Sequence, residues 1–157
     1  MSEKSRFGVV PWVAFLLTLV LDQATKVFVQ NSLHRGESIQ VVGSYVKITY
    51  IHNPKGAFGL PIGGKLFFVI FSILASLFIL YYLFKIPKQK IWSKGALALI
   101  LGGAVGNLID RFRLGEVIDF IDVGVRATRW PIFNVADSAV TIGVILLLYA
   151  LLLKKES

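Results

Sequence analysis

The chain has 157 residues, of which 55% are hydrophobic and 17% are charged, and its mean hydropathy is +0.71. This composition predicts an integral membrane protein, because one small soluble core cannot bury so much apolar surface. The net charge is +8, but the basic residues are scattered among apolar stretches, which argues against nucleic-acid binding. The absence of cysteine excludes disulfides, thiolate nucleophiles and cysteine metal ligands.

Four segments are long and apolar enough to cross a membrane, since a bilayer core of about 30 Å needs roughly 20 helical residues. They are about residues 9–30, 66–84, 91–109 and 135–153. Basic residues precede the first segment, as in a signal peptide, but its apolar run continues past the usual signal length. We therefore interpret the first segment as a retained membrane anchor.

The distribution of lysine predicts the orientation of these spans. The link between the second and third spans carries four lysines within ten residues, namely Lys85, Lys88, Lys90 and Lys94. Short loops rich in lysine and arginine face the cytoplasm. This rule predicts that the link and both chain termini are cytoplasmic, which leaves residues 31–65 and 110–134 on the outer side.

The two outer segments contain the predicted non-helical structure. Residues 44–51 alternate with a period of two and are rich in β-branched and aromatic residues, so they predict a strand. Residues 39–42 are expected to pair with this strand and to form a small extracytoplasmic β-sheet. Residues 110–134 are expected to lie across the mouth of the bundle as a loop or short helix, with Trp130 and Phe133 at the membrane interface. We expect one membrane-embedded domain in all.

Polar residues from separate segments are predicted to lie at one membrane depth, near the outer face. A carboxylate close to the hydrocarbon boundary is costly and marks a candidate functional site. Residues four positions apart share a helix face, as Asp22 and Lys26 do. The full set is Asp22, Lys26, Asn53, Asn107, Asp110, Arg111, Asp119, Asn134 and Asp137. The two histidines lack the spacing of metal ligands, so no metal site is predicted.

Each polar group taken alone also has a structural interpretation. Asp22 and Lys26 could be an ion pair that anchors a helix end, and Asn134 and Asp137 fit an N-terminal helix cap. Asn107, Asp110 and Arg111 could likewise form an interfacial cap with a charge pair. Asp122 is interpreted as a solvated loop residue. These interpretations do not explain why separate segments bring polar groups to the same level.

The chain resembles the lipoprotein signal peptidases, also called signal peptidase II, over nearly its whole length. The shared features are chain length, four spans, the order of the motifs and the side of both termini. Lys55 departs from the family pattern, which usually has glycine there. The motifs that carry the resemblance are Asp-Gln-Ala-Thr-Lys at 22–26, Asn53 to Phe58, Gly-Asn-Leu-Ile-Asp-Arg at 106–111, Val-Ile-Asp-Phe at 117–120 and Phe-Asn-Val-Ala-Asp at 133–137.

The resemblance implies an aspartyl endopeptidase of the bacterial cytoplasmic (inner) membrane. It would remove the signal peptide from a diacylglyceryl-modified prolipoprotein by cutting before the lipidated cysteine. Asp119 and Asp137 would be the catalytic dyad. The residues that bind substrate or orient the dyad would be Asn53, Asn107, Arg111 and Asn134, and the supporting residues would be Asp22, Lys26, Asp110, Gly56 and Phe58. The family implies no cofactor, no metal and no obligate protein partner besides the substrate and membrane lipids.

The chemistry of such a dyad follows from its charges. Two close carboxylates resist double ionisation, so one keeps a proton while the other can deprotonate a water molecule. The positive end of the fourth helix favours the anionic form of Asp137. Asp119 is therefore the expected holder of the proton.

Two other classes of protein stay open at this point. A small transporter or proton-conducting subunit would relay ions through Asp22, Asp119 and Asp137, although relay sites usually lie near the bilayer midplane. A structural helix-packing partner would use the glycines of the third span, but this leaves the two later aspartates unexplained. Acid-dependent ion flux without peptide cleavage in proteoliposomes would favour the transporter.

Overall fold

A computed structural model describes residues 3–54, 65–87 and 90–152, so the predicted site residues Gly56 and Phe58 lie outside the described residues, as does Lys55. Within these ranges the chain forms four helices and four strands. In chain order they are α1 (Glu3–Ser32), β1 (Ser38–Val42), β2 (Val46–Asn53), α2 (Lys65–Lys85), α3 (Ile91–Leu114), β3 (Val117–Val125), β4 (Thr128–Arg129) and α4 (Val135–Leu152).

All four helices contain a stretch that is long and apolar enough to cross a membrane, and large apolar side chains stay exposed on each of them. The predicted fold class, a four-span helical membrane protein with a small sheet, is confirmed. The helix ends differ from the predicted ones, since α1 begins at Glu3 rather than near residue 9 and α3 continues to Leu114 rather than ending near 109. The extra turn of α3 contains Asp110 and Arg111.

Helix α3 lies at the centre of the bundle, where it packs against α1, α2 and α4. Two of its glycines make this close approach possible. A Cβ atom at Gly103 would collide with the backbone oxygen of Ala136, and one at Gly106 would lie 2.5 Å from the Asp22 carboxylate. Small residues let membrane helices approach closely. The glycines of α3 therefore bring α1 and α4 to the same end of one helix.

The sheet is antiparallel, with strand order β1-β2-β3-β4. The predicted hairpin is present, and its turn contains Gly43 at a φ of 50°. Because side chains alternate along a strand, the sheet has two faces. Ile39, Ile48 and Ile121 pair across one face, whereas Ser38 and Thr49 pair on the other. The end of β2 lies beside the start of β3, which carries Asp119.

The segment after α3 does not form the loop or short helix that was predicted across the outer face. It forms β3 and β4, which extend the sheet, and Phe133 makes an isolated bridge with Ile121. Val117 to Phe120 are all buried. A strand buried on both faces lacks the alternation of polar and apolar residues that identifies a strand from sequence. Trp130 is exposed, and Phe133 is half-buried.

The sheet packs on the C-terminal end of α1 through a small apolar cluster. Its members are Val29 from α1, Leu33 directly after α1, Tyr50 from β2, and Ile118 and Phe120 from β3. A hairpin alone is only marginally stable in water, so this contact supplies the backing that the sheet needs. Asp119 lies between Ile118 and Phe120, so its side chain points to the opposite face of the sheet.

Candidate active site

Asp119 and Asp137 come from different elements and contact the same asparagine. The Nδ2 of Asn134 donates a hydrogen bond of 2.7 Å to Asp119 Oδ1, and the backbone N–H of Asn134 donates one of 3.2 Å to Asp137 Oδ2. Asn134 is fully buried, and Asp119 is 2% exposed. The predicted pair of carboxylates is thus held together by one residue at the junction of the sheet and α4.

Asn134 also caps the N-terminus of α4. Its Oδ1 accepts a hydrogen bond of 2.9 Å from the backbone N–H of Asp137, whose carboxylate accepts the Asn134 N–H in return. This reciprocal pattern satisfies two N–H groups that a helix start leaves unpaired. The helix cap that the structural interpretation predicted is present, and the same residues make the contact with Asp119.

Each carboxylate accepts a second amide donor from another element. Asn53, at the end of β2, donates through Nδ2 to Asp119 Oδ2 at 2.9 Å. Asn107, on α3, donates through Nδ2 to Asp137 Oδ1 at 2.8 Å. Each carboxylate therefore accepts one hydrogen bond from Asn134, directly before α4, and one from a strand or helix residue, and these bonds determine its orientation.

The protonation of Asp119 is shifted toward the neutral acid. Burial, followed by the Asp137 carboxylate, raises the pKa of Asp119 to about 7, although hydrogen bonds from Asn53 and Asn134 and the charge of Lys26 oppose this shift. A carboxyl group with this pKa holds a proton in a large fraction of molecules at neutral pH. Burial and the neighbouring carboxylate therefore favour the acid form of Asp119, close to the N-terminus of α4.

Lys26 is the centre of a buried polar network that shares Asn107 with the site of the two carboxylates. Its Nζ lies 2.8 Å from Asp22 Oδ2, 2.8 Å from Asp110 Oδ2 and 2.9 Å from Asn107 Oδ1. An ammonium group has three protons, so all of them have an acceptor. Within the described residues, no group of three or more His, Cys, Asp or Glu side chains could hold a metal ion. The acids of this network surround a lysine instead.

The two acids that pair with Lys26 also bind the backbone of neighbouring elements. Asp22 Oδ1 accepts a hydrogen bond of 2.9 Å from the N–H of Ala136, near the start of α4. Asp110 Oδ2 accepts one of 3.2 Å from the N–H of Ile118 in β3. The network therefore connects α1 and α3 to the residues directly before Asp119 and Asp137.

Gln23 belongs to this network, although the sequence analysis did not select it. Its Nε2 donates to the side chains of Asp22 and Asp110 and to the backbone oxygen of Gly106, at 3.1 to 3.2 Å. Its signals in the sequence were its position next to Asp22 and its place in the motif at 22–26. A single glutamine does not identify a functional site on its own.

Among the described residues, Arg111 forms no ion pair with either of the two carboxylates. Its Nη1 makes long contacts of 3.5 Å with Ser72 Oγ and with the backbone oxygen of Asn107, and its guanidinium lies 5.7 Å from the Phe68 ring centre. Asp110 pairs with Lys26 instead of with Arg111. Arg111 lines a cavity of about 370 Å³ between α2 and α3, together with Leu66, Val69 and Phe112.

Asp122 corrects the interpretation of a solvated loop residue. It lies in β3, it is 7% exposed, and its carboxylate accepts hydrogen bonds from Thr49 Oγ1 at 2.9 Å and Arg129 Nε at 2.8 Å. The strand places Asp122 on the polar face of the sheet, where Arg129 from β4 covers it. The partner was invisible in the sequence because β4 is only two residues long.

Comparison with known proteins gives consistent matches over most of the chain. A family model described as signal peptidase (SPase) II matches residues 14–153. The lipoprotein signal peptidase of Syntrophus aciditrophicus is 42% identical, and the alignment covers 93% of this chain and 96% of that relative. The lipoprotein signal peptidase of Desulforapulum autotrophicum is 46% identical, over 88% of this chain and 89% of that relative.

Solved structures agree with the sequence matches. A bacterial membrane enzyme determined by the in meso method at 2.3 Å resolution superimposes with a TM-score of 0.84 at 36% identity, covering 90% of this chain and 87% of that chain. A second, determined at 1.9 Å resolution, gives a TM-score of 0.83 at 35% identity, covering 94% of each chain.

Proposed function

Because this chain belongs to the signal peptidase II family, we propose that Asp119 and Asp137 are the catalytic dyad of an aspartic-type signal peptidase. The chain is a multi-pass membrane enzyme that removes signal peptides from lipoprotein precursors. The observation that carries the residue assignment is the junction at Asn134, which binds both carboxylates at the sheet and the start of α4.

The proposed reaction is hydrolysis of the peptide bond before a diacylglyceryl-modified cysteine. Asp137, the ionised member, accepts a proton from a water molecule, whose oxygen attacks the scissile carbonyl carbon. Asp119 donates its proton to the carbonyl oxygen as the tetrahedral species forms. The C–N bond then breaks, and the proton held by Asp137 passes to the leaving amine while Asp119 recovers its own. The products are a carboxylic acid and an amine, so water is the only co-reactant.

The neighbouring side chains support this cycle by holding the two acids in place. We assign Asn53 to Asp119, Asn107 to Asp137 and Asn134 to both, on the basis of their hydrogen bonds. Among the described residues, no acidic side chain lies within ion-pair distance of Arg111. Its fork of donors is therefore available for substrate carbonyl oxygens near the cavity between α2 and α3.

Gly56 and Phe58 are assigned to the same site through the family motif alone. They follow Asn53 and Pro54 in the sequence, so they begin the segment that leaves the end of β2.

The proposed location is the bacterial cytoplasmic membrane, with both termini in the cytoplasm and the dyad near the outer face. Lys85, Lys90 and Lys94 lie at one end of the helix bundle, where lysine marks the cytoplasmic side. Asn107 follows Lys94 by 13 residues in α3, which corresponds to about 20 Å along a helix. The dyad network is therefore near the opposite boundary of the hydrocarbon core.

This orientation can be tested with introduced cysteines, because the chain has none of its own. We expect Ser44→Cys, in the turn between β1 and β2, to react with a membrane-impermeant maleimide in intact spheroplasts. Ser157→Cys at the C-terminus should react only after the membrane is permeabilised. Labelling of both positions from the outside, or of Ser157→Cys alone, would contradict the proposed orientation.

The pH dependence of cleavage should report the proton on Asp119. With its pKa near 7, the required acid form is lost as pH rises, so kcat/KM should fall above about pH 7 with a limiting slope of about one log unit per pH unit. The titration belongs to the carboxylate pair as a whole. A rate that is constant from pH 6 to 9 would contradict this assignment of the proton.

The same shift has a consequence for stability. Because the folded-state pKa of Asp119 is raised, its proton stabilises the folded state fully below about pH 4 and this contribution is lost as pH rises through about 7. Asp119→Asn removes the titrating group. The melting temperature of the variant should therefore depend less on pH between 5 and 8 than that of the native protein.

The substrate class is tested by comparing two forms of one precursor. Purified protein in lipid is mixed with a prolipoprotein that carries a diacylglyceryl group on its cysteine, or with the same precursor unmodified. We expect cleavage of the modified precursor and little or none of the unmodified one. Equal cleavage of both would show that the lipid is not recognised, and cleavage of neither would reject the proposed function.

A further inference from the structure

A second cluster of titratable side chains lies on the face of the sheet that points away from the dyad. The Tyr50 hydroxyl and His52 Nε2 are 2.7 Å apart, and His52 Nδ1 is 3.0 Å from Glu116 Oε2. The same glutamate oxygen lies 3.3 Å from Arg35 Nη2. The cluster joins the end of β2 to the turn between α3 and β3, and none of its members has a role in the proposed catalytic steps.

The cluster is positioned beside the residue that binds Asp119. Asn53 directly follows His52, ends β2 and forms the last pair of the β2–β3 ladder, with Val117. Pro54 comes next, and proline has no N–H with which to extend the ladder. The ladder and the side-chain contacts of the adjacent His52 therefore both act on the position of Asn53.

The surroundings of His52 make this contact stronger than a surface ion pair. The His52 side chain is 14% exposed, and Tyr50 belongs to the apolar cluster that attaches the sheet to α1. Hydrogen bonds to charged groups gain strength when water is excluded. The Arg35 side chain is 58% exposed, so its pairing with Glu116 contributes little.

We propose that His52 is a positioning residue, which together with Tyr50 and Glu116 clamps the end of β2 so that Asn53 keeps its hydrogen bond to Asp119. The inference rests on the proposed role of Asp119 in catalysis. The contacts of His52 are with Tyr50 and Glu116 and not with the dyad, so it acts through the backbone of the adjacent residue.

The clamp holds in both protonation states of the histidine. A carboxylate only accepts hydrogen bonds, so Nδ1 of His52 must donate to Glu116. Nε2 can accept from the Tyr50 hydroxyl when the ring is neutral, or donate to the hydroxyl oxygen when the ring is charged. Both forms of the ring therefore keep the contacts with Tyr50 and Glu116, and the alkaline limb of the activity profile stays a property of the dyad.

His52→Ala is expected to lower kcat about 10-fold while KM changes less than about 2-fold, because the group that is misplaced orients a catalytic acid. The alkaline limb of kcat/KM should move to higher pH, since the Asn53 hydrogen bond lowers the pKa of Asp119. The other groups that act on Asp119, namely Asp137, Asn134 and Lys26, are unchanged in the variant. A merely structural loss would lower the active fraction without moving the limb.

Asn53→Ala should shift the limb in the same direction, and the double variant His52→Ala/Asn53→Ala should be no worse than Asn53→Ala alone. Non-additivity is the signature of two residues that act through one contact. Additive losses in the double variant, or a wild-type rate and limb in His52→Ala, would overturn the proposal.

Two matched controls separate the clamp from general damage. Glu116→Gln keeps an oxygen that accepts from His52 Nδ1 and should retain activity within about 3-fold, whereas Glu116→Ala should behave as His52→Ala does. His34→Ala replaces an exposed histidine and should resemble the native protein. If His52→Ala does not fold, Tyr50→Phe tests the same contact, because it keeps the apolar ring and removes only the hydroxyl; an unmoved limb there would overturn the proposal.

The proposed function is scored separately in the same assay. Asp119→Asn is included in every series. If the native protein does not cleave the modified precursor, or if Asp119→Asn still cleaves it, the dyad assignment fails. If both behave as expected and His52→Ala matches the native enzyme, only the clamp fails.

Discussion

Replacing Asp119 or Asp137 with asparagine is expected to lower kcat for cleavage of a diacylglyceryl-modified prolipoprotein by about 10⁴-fold. Asparagine has nearly the same shape as aspartate but can neither hold the acidic proton nor accept one from water. Each carboxylate accepts from two donors, whereas asparagine offers one oxygen, so each variant keeps one of these hydrogen bonds and loses the other. The lost bond should cost about 1–3 kcal/mol of stability, and both variants should still fold. Single-turnover cleavage gives the rate of the chemical step, and the melting temperature of the same samples shows whether each variant is folded.

The matched control is Asp122→Asn, which removes a buried carboxylate from the same strand as Asp119. It weakens the contact with Arg129 and should cost stability, but cleavage should stay within about 3-fold of the native rate because Asp122 contacts neither acid. The double variant of Asp119 and Asp137 should be no slower than either single variant. Loss of activity in the Asp122 variant equal to that in the other two would indicate damage to the fold rather than to a dyad.

Lys26→Met is expected to destabilise the protein by about 3–5 kcal/mol and to reduce activity strongly. Methionine fills similar space, but it leaves the buried carboxylates of Asp22 and Asp110 without their shared cation, and it leaves Asn107 Oδ1 without one donor. Asp22 and Asp110 also bind the backbone at the start of α4 and of β3. If these two acids move after the loss of the lysine, both dyad residues move with them. The free energy of unfolding in mixed micelles measures the effect.

Lys85→Met is the control for this substitution, because Lys85 lies at the end of α2 with an exposed side chain 5.5 Å from the Tyr81 ring. Its loss should cost less than about 1 kcal/mol. Adding Asp110→Asn to Lys26→Met should recover part of the lost stability, since it removes one of the two uncompensated charges. Equal stability of the Lys26 and Lys85 variants would show that the buried network does not depend on the lysine charge.

The helical part of the fold could be predicted because each span is a long apolar run whose length matches a bilayer. The β1–β2 hairpin was also predictable, since residues 44–51 alternate between the two faces of the sheet. Strand β3 could not be recognised in this way because Val117 to Phe120 are buried on both faces. This segment forms a strand because it pairs with β2, a distant part of the chain. Asn53 and Asp119, which are in contact, are 66 residues apart in the sequence.

The sequence could predict which residues come together, but it could not predict which of them are in contact. The depth of a residue follows from its position along a spanning helix, so Asp22, Lys26 and Asn107 could be placed at one level. The partner of each residue could not be chosen, because several acids and amides lie at that level. The bond between Asp22 and the N–H of Ala136 joins residues 114 positions apart, and no local pattern encodes it.

The most direct test is mass spectrometry of the products formed from a diacylglyceryl-modified prolipoprotein by the native protein and by the Asp119→Asn and Asp137→Asn variants. We expect the native protein to cut one bond and release a product that begins with the lipidated cysteine, while both variants leave the precursor intact. An intact precursor with the native protein, or the same cut with either variant, would contradict the assignment of Asp119 and Asp137 as the catalytic pair.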